Sequence, residues 1–289
     1  MATSKNLRTV VLLVSFGAMA PQVLAQTQQD RTQDKVAFPA HTIIGNLHYV
    51  GTGTLNSYLI TTPQGHILIN TNYEDTVPLL RASVEKVGFK MTDIKIILGS
   101  HAHPDHMQAD AMVKELSGGA SVMAMDQDVP ALKSMKAPSG KPRPIDRVLK
   151  DKEQVSLGGT TLVAHLTPGH TRGCTTWTMR IPEGGRSYDV VIACGGLQEG
   201  AVLVNNTTYP EIADDFARSI ATLKALPVDV FLGAHSWFFD LAGKYKRLGG
   251  ATNPYVDPAG FKAWVGNMEK NYNALVTRPP GERPSPDAR

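Results

Sequence analysis

Ser100-His101-Ala102-His103-Pro104-Asp105-His106 is the stretch on which the rest of the chain turns. It follows an apolar run at residues 94–99, broken only by Lys95, which reads as a largely buried strand. It precedes a segment that opens with Pro104 and reads as a helix to about Leu116, closed by Gly118-Gly119. Side chains alternate along an extended chain, so His101 and His103 point to the same side. Asp105 and His106 then fall in the first helical turn, facing back toward the strand end. Four nitrogen and oxygen donors thus converge from one strand-to-helix junction, a set that suits zinc. A solitary histidine is ordinarily a surface or core residue; this spacing calls for a metal.

One segment cannot complete two metal spheres, so partners are expected at other strand ends. Thr167-Pro168-Gly169-His170-Thr171 offers His170 in a Pro-Gly turn after a strand at 160–165. Phe231-Leu232-Gly233-Ala234-His235 offers His235 after a buried strand at 228–233. Both histidines follow an apolar strand and a glycine, which places them on one rim.

The remainder alternates strand-like and helix-like blocks. Strands are expected at 42–50, 56–62, 66–70, 154–157, 174–181 and 189–194, and helices at 75–87, 209–226 and 260–276. Two sets of strands, each followed by helices, predict an α/β fold of two packed sheets with helices outside. Residues 133–146, rich in Pro, Lys and Ser, are long for a connection and read as functional or mobile. His41, His48, His66 and His165 lie in or beside strands and receive no role; Trp177 reads as core. Trp237 and Phe238 follow His235 and read equally as core or as a pocket wall.

Composition sets the bounds. The 289 residues are 42% hydrophobic and 19% charged, enough for a buried core. A net charge of +3 without a basic run argues against nucleic acid as the main partner. Two cysteines exclude a disulfide scaffold and a four-thiolate zinc site. Pairing of the two strands around the turn at 182–185 brings Cys174 roughly opposite the end of the second, so a disulfide with Cys194 or two free thiols are both open. Lys5 and Arg8, the apolar run from Val10 to Ala20 and Val23-Leu24-Ala25 read as an export signal, too short to span a bilayer. The expected organisation is a signal at 1–25, a mobile leader at 26–40, one domain at 41–278 and a disordered tail at 279–289. The mature protein is expected in the periplasm or secreted, free of the membrane.

The motifs H-x-H-x-D-H, T-P-G-H-T and G-x-H, in this order along the mature chain, resemble those of the metallo-β-lactamase superfamily of two-zinc hydrolases. The resemblance implies an αββα sandwich with the metals at one edge of the two packed sheets. Thioesterases, lactonases and phosphodiesterases of that fold carry a bridging aspartate where this chain reads Ala193-Cys194-Gly195-Gly196-Leu197. With that aspartate absent and His106 retained, the chain is most similar to the subclass B3 β-lactamases. Gly173-Cys174-Thr175-Thr176-Trp177 and Tyr209-Pro210 are similar to that subclass too. By that resemblance His101, His103 and His170 hold one zinc, and Asp105, His106 and His235 a second. Asp105 also orients a zinc-bound hydroxide that opens the β-lactam amide with no covalent enzyme intermediate. A monomer acting on a small β-lactam is implied.

Several positions depart from the pattern. Asn70 stands where relatives often have aspartate, and Met107-Gln108 where many have small residues. Gly195, Gly196 and Leu197 occupy the place of serines that meet the substrate carboxylate. The donors left for that carboxylate are the second zinc, backbone N–H groups of the loop bearing Gly195, Gly196 and Leu197, and side chains of loop 133–146, whose Lys136, Lys141 and Arg143 read more readily as solvated surface charges. Serines restored at Gly195 and Leu197 would then lower KM. The other readings are a same-fold hydrolase of a thioester, lactone or phosphodiester, and a zinc-binding descendant with little catalytic activity.

Overall fold

The computed structural model describes residues 31–198 and 200–279; the expected export signal and nearly all of the expected tail lie outside them. Strands β3 (Tyr58–Thr62), β4 (Gly65–Ile69) and β5 (Ile94–Leu98) carry apolar residues on both faces, and this forces a layered fold. Tyr58, Ile60, Ile67, Ile69, Ile96 and Leu98 face one core, whereas Leu59, Leu68 and Ile97 face another. The second core is closed by helices α1 (Val77–Lys86) and α3 (Asp110–Leu116), through Leu80, Val84 and Val113. The first is shared with the other sheet.

The first sheet has seven strands in sequence order. β1 (His41–Ile44) and β2 (Leu47–Tyr49) lead antiparallel into β3 and β4, and β5, β6 (Ser121–Met125) and β7 (Arg147–Leu149) follow in parallel. The second sheet runs β12-β11-β10-β9-β8, built from β8 (Gln154–Leu157), β9 (Thr160–Leu166), β10 (Thr175–Glu183), β11 (Arg186–Ala193) and β12 (Val230–Gly233). Helices α5 (Ile212–Ala225) and α7 (Pro258–Thr277) add Phe216, Ile220, Phe261, Trp264 and Met268 to its core. The expected two-sheet α/β sandwich is the observed one.

Some expected elements change. The run at 42–50 is a hairpin turning at Gly45-Asn46, with His41 opposite Tyr49. The helix after the histidine cluster is divided into α2 (Pro104–Met107) and α3. β6, β7, α4 (Val129–Ser134) and α6 (Leu241–Lys246) were not anticipated. Residues 34–38, within the expected leader, pack on the domain. Asp34 is buried and accepts from Thr54, Ala37 bridges to Thr52, and the Phe38 ring meets Tyr49 edge-on at 5.6 Å.

Candidate metal centre

The C-terminal ends of β5, β9, β11 and β12 lie at one edge of the sandwich, and the candidate ligands leave from loops at those ends. After β5, the Ser100 amide donates to Asn70 Oδ1 (2.8 Å) and its carbonyl accepts from the Thr175 amide (2.7 Å), tying the loop to both sheets. Pro104 starts α2, which carries Asp105 and His106 inward. The His106 carbonyl accepts from the amides of Thr71 (2.9 Å) and Asn72 (3.0 Å). Asn70 and Asn72 sit at φ of +65° and +60°, a region asparagine enters more readily than most residues. Gln108 helps as well, its side-chain oxygen accepting from the Glu74 amide.

All six expected ligands converge. One donor atom each from His101, His103 and His170 lie within 4.8 Å of one another, as do those of His101, Asp105 and His106. His101 Nε2 is 3.1 Å from His170 Nε2, and His106 Nε2 is 3.1 Å from His235 Nε2. Asp105 Oδ2 stands 3.7 Å from His106 Nε2 and 3.9 Å from His235 Nε2. Nitrogens on one tetrahedral zinc are about 3.3 Å apart, so these spacings suit shared coordination.

The ring nitrogens turned away from the centre are held by the protein, which fixes ring orientation. His170 Nδ1 meets the Gly196 carbonyl (3.2 Å), His235 Nδ1 the Thr54 carbonyl (3.4 Å) and His101 Nδ1 the Ser100 hydroxyl (3.3 Å). Beside His106 Nδ1 stands the Asn70 amide nitrogen at 3.4 Å. Burial and neighbouring imidazoles hold His101 and His235 well below the ordinary histidine range, and His170 is brought down to about 4. These rings are neutral near pH 7, the form that binds a metal.

The remaining expectations divide. Gly195 is a support for His170: a Cβ there would lie 2.6 Å from the ring's Cγ. Serine at Gly195 is therefore not accommodated without moving His170, which weighs against the expected gain from restoring it. Gly196 supports His170 through its carbonyl, and Leu197 packs against the core. Of Lys136, Lys141 and Arg143 in loop 133–146, two are engaged by the protein. Arg143 is buried and donates to the Met107 carbonyl, Lys141 pairs with Glu115, and Ser139 donates its amide to Glu74 (2.8 Å). The loop is thereby fastened against α2 and α3.

Trp177 is core, its indole donating to the Gly99 carbonyl (3.0 Å). Trp237 is 36% exposed and stacks on His235 with centroids 4.1 Å apart, so it forms a wall beside the ligands. His41 lies between Tyr49 and Tyr255, and His165 meets Thr178; neither they nor His48 or His66 join a metal-capable group among the described residues. Cys174 and Cys194 form a disulfide, with Cα atoms 5.8 Å apart. Their sulfurs lie near His101 but are bonded to each other and offer no thiolate.

Sequence reasoning missed Asp128. Its buried carboxylate accepts from the amides of Ala102 (2.8 Å) and Gly173 (2.7 Å) and from the Thr171 hydroxyl (2.9 Å). No local pattern marks it, because all three donors come from distant segments.

Four packed layers with imidazoles and a carboxylate gathered at the strand ends define an αββα metal-binding protein. The profile of the metallo-β-lactamase superfamily matches residues 50–235, and the chain belongs to that superfamily. Among solved structures it is similar to the native FEZ-1 metallo-β-lactamase from Legionella gormanii, at 45% identity and a TM-score of 0.80 over 84% of this chain and 97% of that one. It is also similar to LRA-12 from an Alaskan soil metagenome, described as a class B3 di-zinc metallo-β-lactamase, at 31% identity and a TM-score of 0.78. That match covers 85% of this chain and 97% of the other. A hydroxyacylglutathione hydrolase of Hyphomonas neptunium is 30% identical over 147 residues, 50% of this chain. The match spans about half that relative's length, 52%.

Proposed function

We propose that the protein is a zinc-dependent β-lactam hydrolase of the B3 type, and that each chain holds two zinc ions. The observation that carries the reading is the convergence of five imidazoles and one carboxylate, donor types that suit zinc. His101, His103 and His170 would hold one ion, and Asp105, His106 and His235 the other. Zinc in three-ligand sites supplies Lewis acidity and makes a bound water ionise near pH ~7.

The chain's own residues do the rest. The carboxylate of Asp105 orients the attacking water and holds its proton. Trp237, stacked on His235, shields one side of the centre from bulk solvent. No nucleophilic side chain is needed: Ser100 is buried and meets His101 at Nδ1, on the side away from the other ligands, so its hydroxyl orients that ring. Attack by water without a covalent enzyme intermediate is part of this reading.

A thioester, lactone or phosphodiester substrate is the weaker reading, although a hydroxyacylglutathione hydrolase is among the relatives. Where a bridging aspartate would be needed, Gly195 backs directly onto His170, and Asp105 is the one carboxylate in the metal-capable groups among the described residues. The export signal at 1–25 and action as a monomer in the periplasm or medium belong to the same proposal. The Cys174–Cys194 disulfide suits an oxidising compartment, and no helix among the described residues is long and apolar enough to cross a membrane.

The test is turnover of a coloured cephalosporin by the purified protein. Hydrolysis abolished by a chelator and restored by zinc is expected. Zinc binding with no hydrolysis of the cephalosporin, but turnover of a glutathione thioester, would move the protein to the other class.

A further inference from the structure

The three histidines assigned to the first zinc come from two loops with no covalent reason to stay in register. His101 and His103 leave β5, whereas His170 leaves β9. Between the loops lies Asp128, at the end of the turn Asp126–Asp128 that joins β6 to α4. Its Oδ2 accepts from the Ala102 amide, between the two β5 histidines, and from the hydroxyl of Thr171, next to His170. Its Oδ1 accepts from the Gly173 amide, further along the same loop. The residue is 3% exposed, so this geometry is set by the protein rather than by solvent. Residue 173 must be glycine for the loop to come this close, since a Cβ there would lie 2.5 Å from the Asp128 amide nitrogen.

The second group of ligands is braced elsewhere. His106 is fixed through the amides of Thr71 and Asn72, and His235 through the Thr54 carbonyl and the bridge between Leu55 and His235. No hydrogen bond from Asp128 reaches either of those two segments directly.

We propose that Asp128 is a positioning residue for the first metal site, the buried side chain that, beside the backbone bond from Thr175 to Ser100, sets the β5 loop against the His170 loop. The inference rests on the two-site reading above. A carboxylate is required because both oxygens accept. An asparagine of the same size keeps one acceptor and turns an NH2 group toward a donor, leaving a buried pair unsatisfied. Because the supports are separate, the loss should fall on one metal site and spare the other.

The experiment is a zinc titration of the metal-free full chain against a chromophoric chelator, with wild type, His170→Ala, His235→Ala and Asp128→Asn side by side. The two histidine variants assign the binding steps. Asp128→Asn is expected to weaken the step that His170→Ala abolishes by about 10- to 100-fold, and to leave intact the step lost in His235→Ala. A merely structural defect would lower both steps together, and that outcome, or no change in either, overturns the proposal. Should Asp128→Asn not fold, Thr171→Val removes one of the three bonds and should weaken the same step to a smaller degree; an unchanged first step in that variant also overturns it. A wild-type protein that binds fewer than two zinc ions refutes the two-site reading itself, which the wild-type arm reports separately.

Discussion

Asn70 and Gly195 decide the quality of the centre without touching a metal. Asn70 gives its side-chain oxygen to the Ser100 amide, so only its nitrogen is left beside His106 Nδ1. Two donors then face each other when His106 binds through Nε2 and carries its proton on Nδ1. Asn70→Asp should keep the Ser100 bond, accept the Nδ1 proton and tighten zinc at the His106 site by about tenfold or more. Stepwise zinc titration reads this, and weaker binding would contradict it. At Gly195 the account expects the reverse of a rescue. Gly195→Ser pushes on the His170 ring and should lower zinc content at the His101–His103–His170 site together with kcat. An unchanged zinc content with a lower KM would restore the serine reading instead.

The strand ends carry the ligands, so the cohesion of β9, β10 and β11 matters at the scale of elements. The Cys174–Cys194 disulfide joins the start of β10 to the end of β11 and closes a segment of separation 20. Replacing both cysteines by serine should cost about 3 kcal/mol of stability. The hydrogen bonds that hold His101 and His170 remain, so most of the activity should survive at 25 °C; denaturant unfolding and turnover measured together check this. The ligand-bearing elements were legible because each pairs an apolar run with a local His or Asp motif. β6 and β7 were not: Ser121–Met125 is followed by no such motif, and Arg147–Leu149 is three residues long with only one buried. Loop 133–146 was legible as a loop but not as a fastened one, because Arg143 is held by a backbone carbonyl 36 residues away. Asp128 was illegible for the same reason, its partners lying 26 to 45 residues distant.

At the scale of the whole molecule, burial holds His101, His170 and His235 of the centre neutral near pH 7, and the metal-free protein bears the consequence. Burial lowers His101 and His235 well below 6.5 and His170 to about 4, and it lowers His41, His48 and His165 in the same direction. Between pH 6.5 and about 4 the unfolded chain therefore binds protons that the folded chain does not, so stability falls as the pH falls through that window. Asp110, pushed up to about 7 by burial, and Asp128, also raised by burial, act in the opposite sense, and the six histidines outnumber them. The unfolding temperature of the metal-free protein should drop from pH 6.5 to 4; a constant or rising value would contradict the assignment of neutral rings. Bound zinc should raise stability at neutral pH by mass action. The most direct test of the central claim is an anomalous difference map at the zinc absorption edge from crystals grown with zinc. Two peaks are expected, one within about 2.1 Å of nitrogens from His101, His103 and His170, the other equally close to donors from Asp105, His106 and His235. A single peak, or one bound outside these six side chains, would contradict the account.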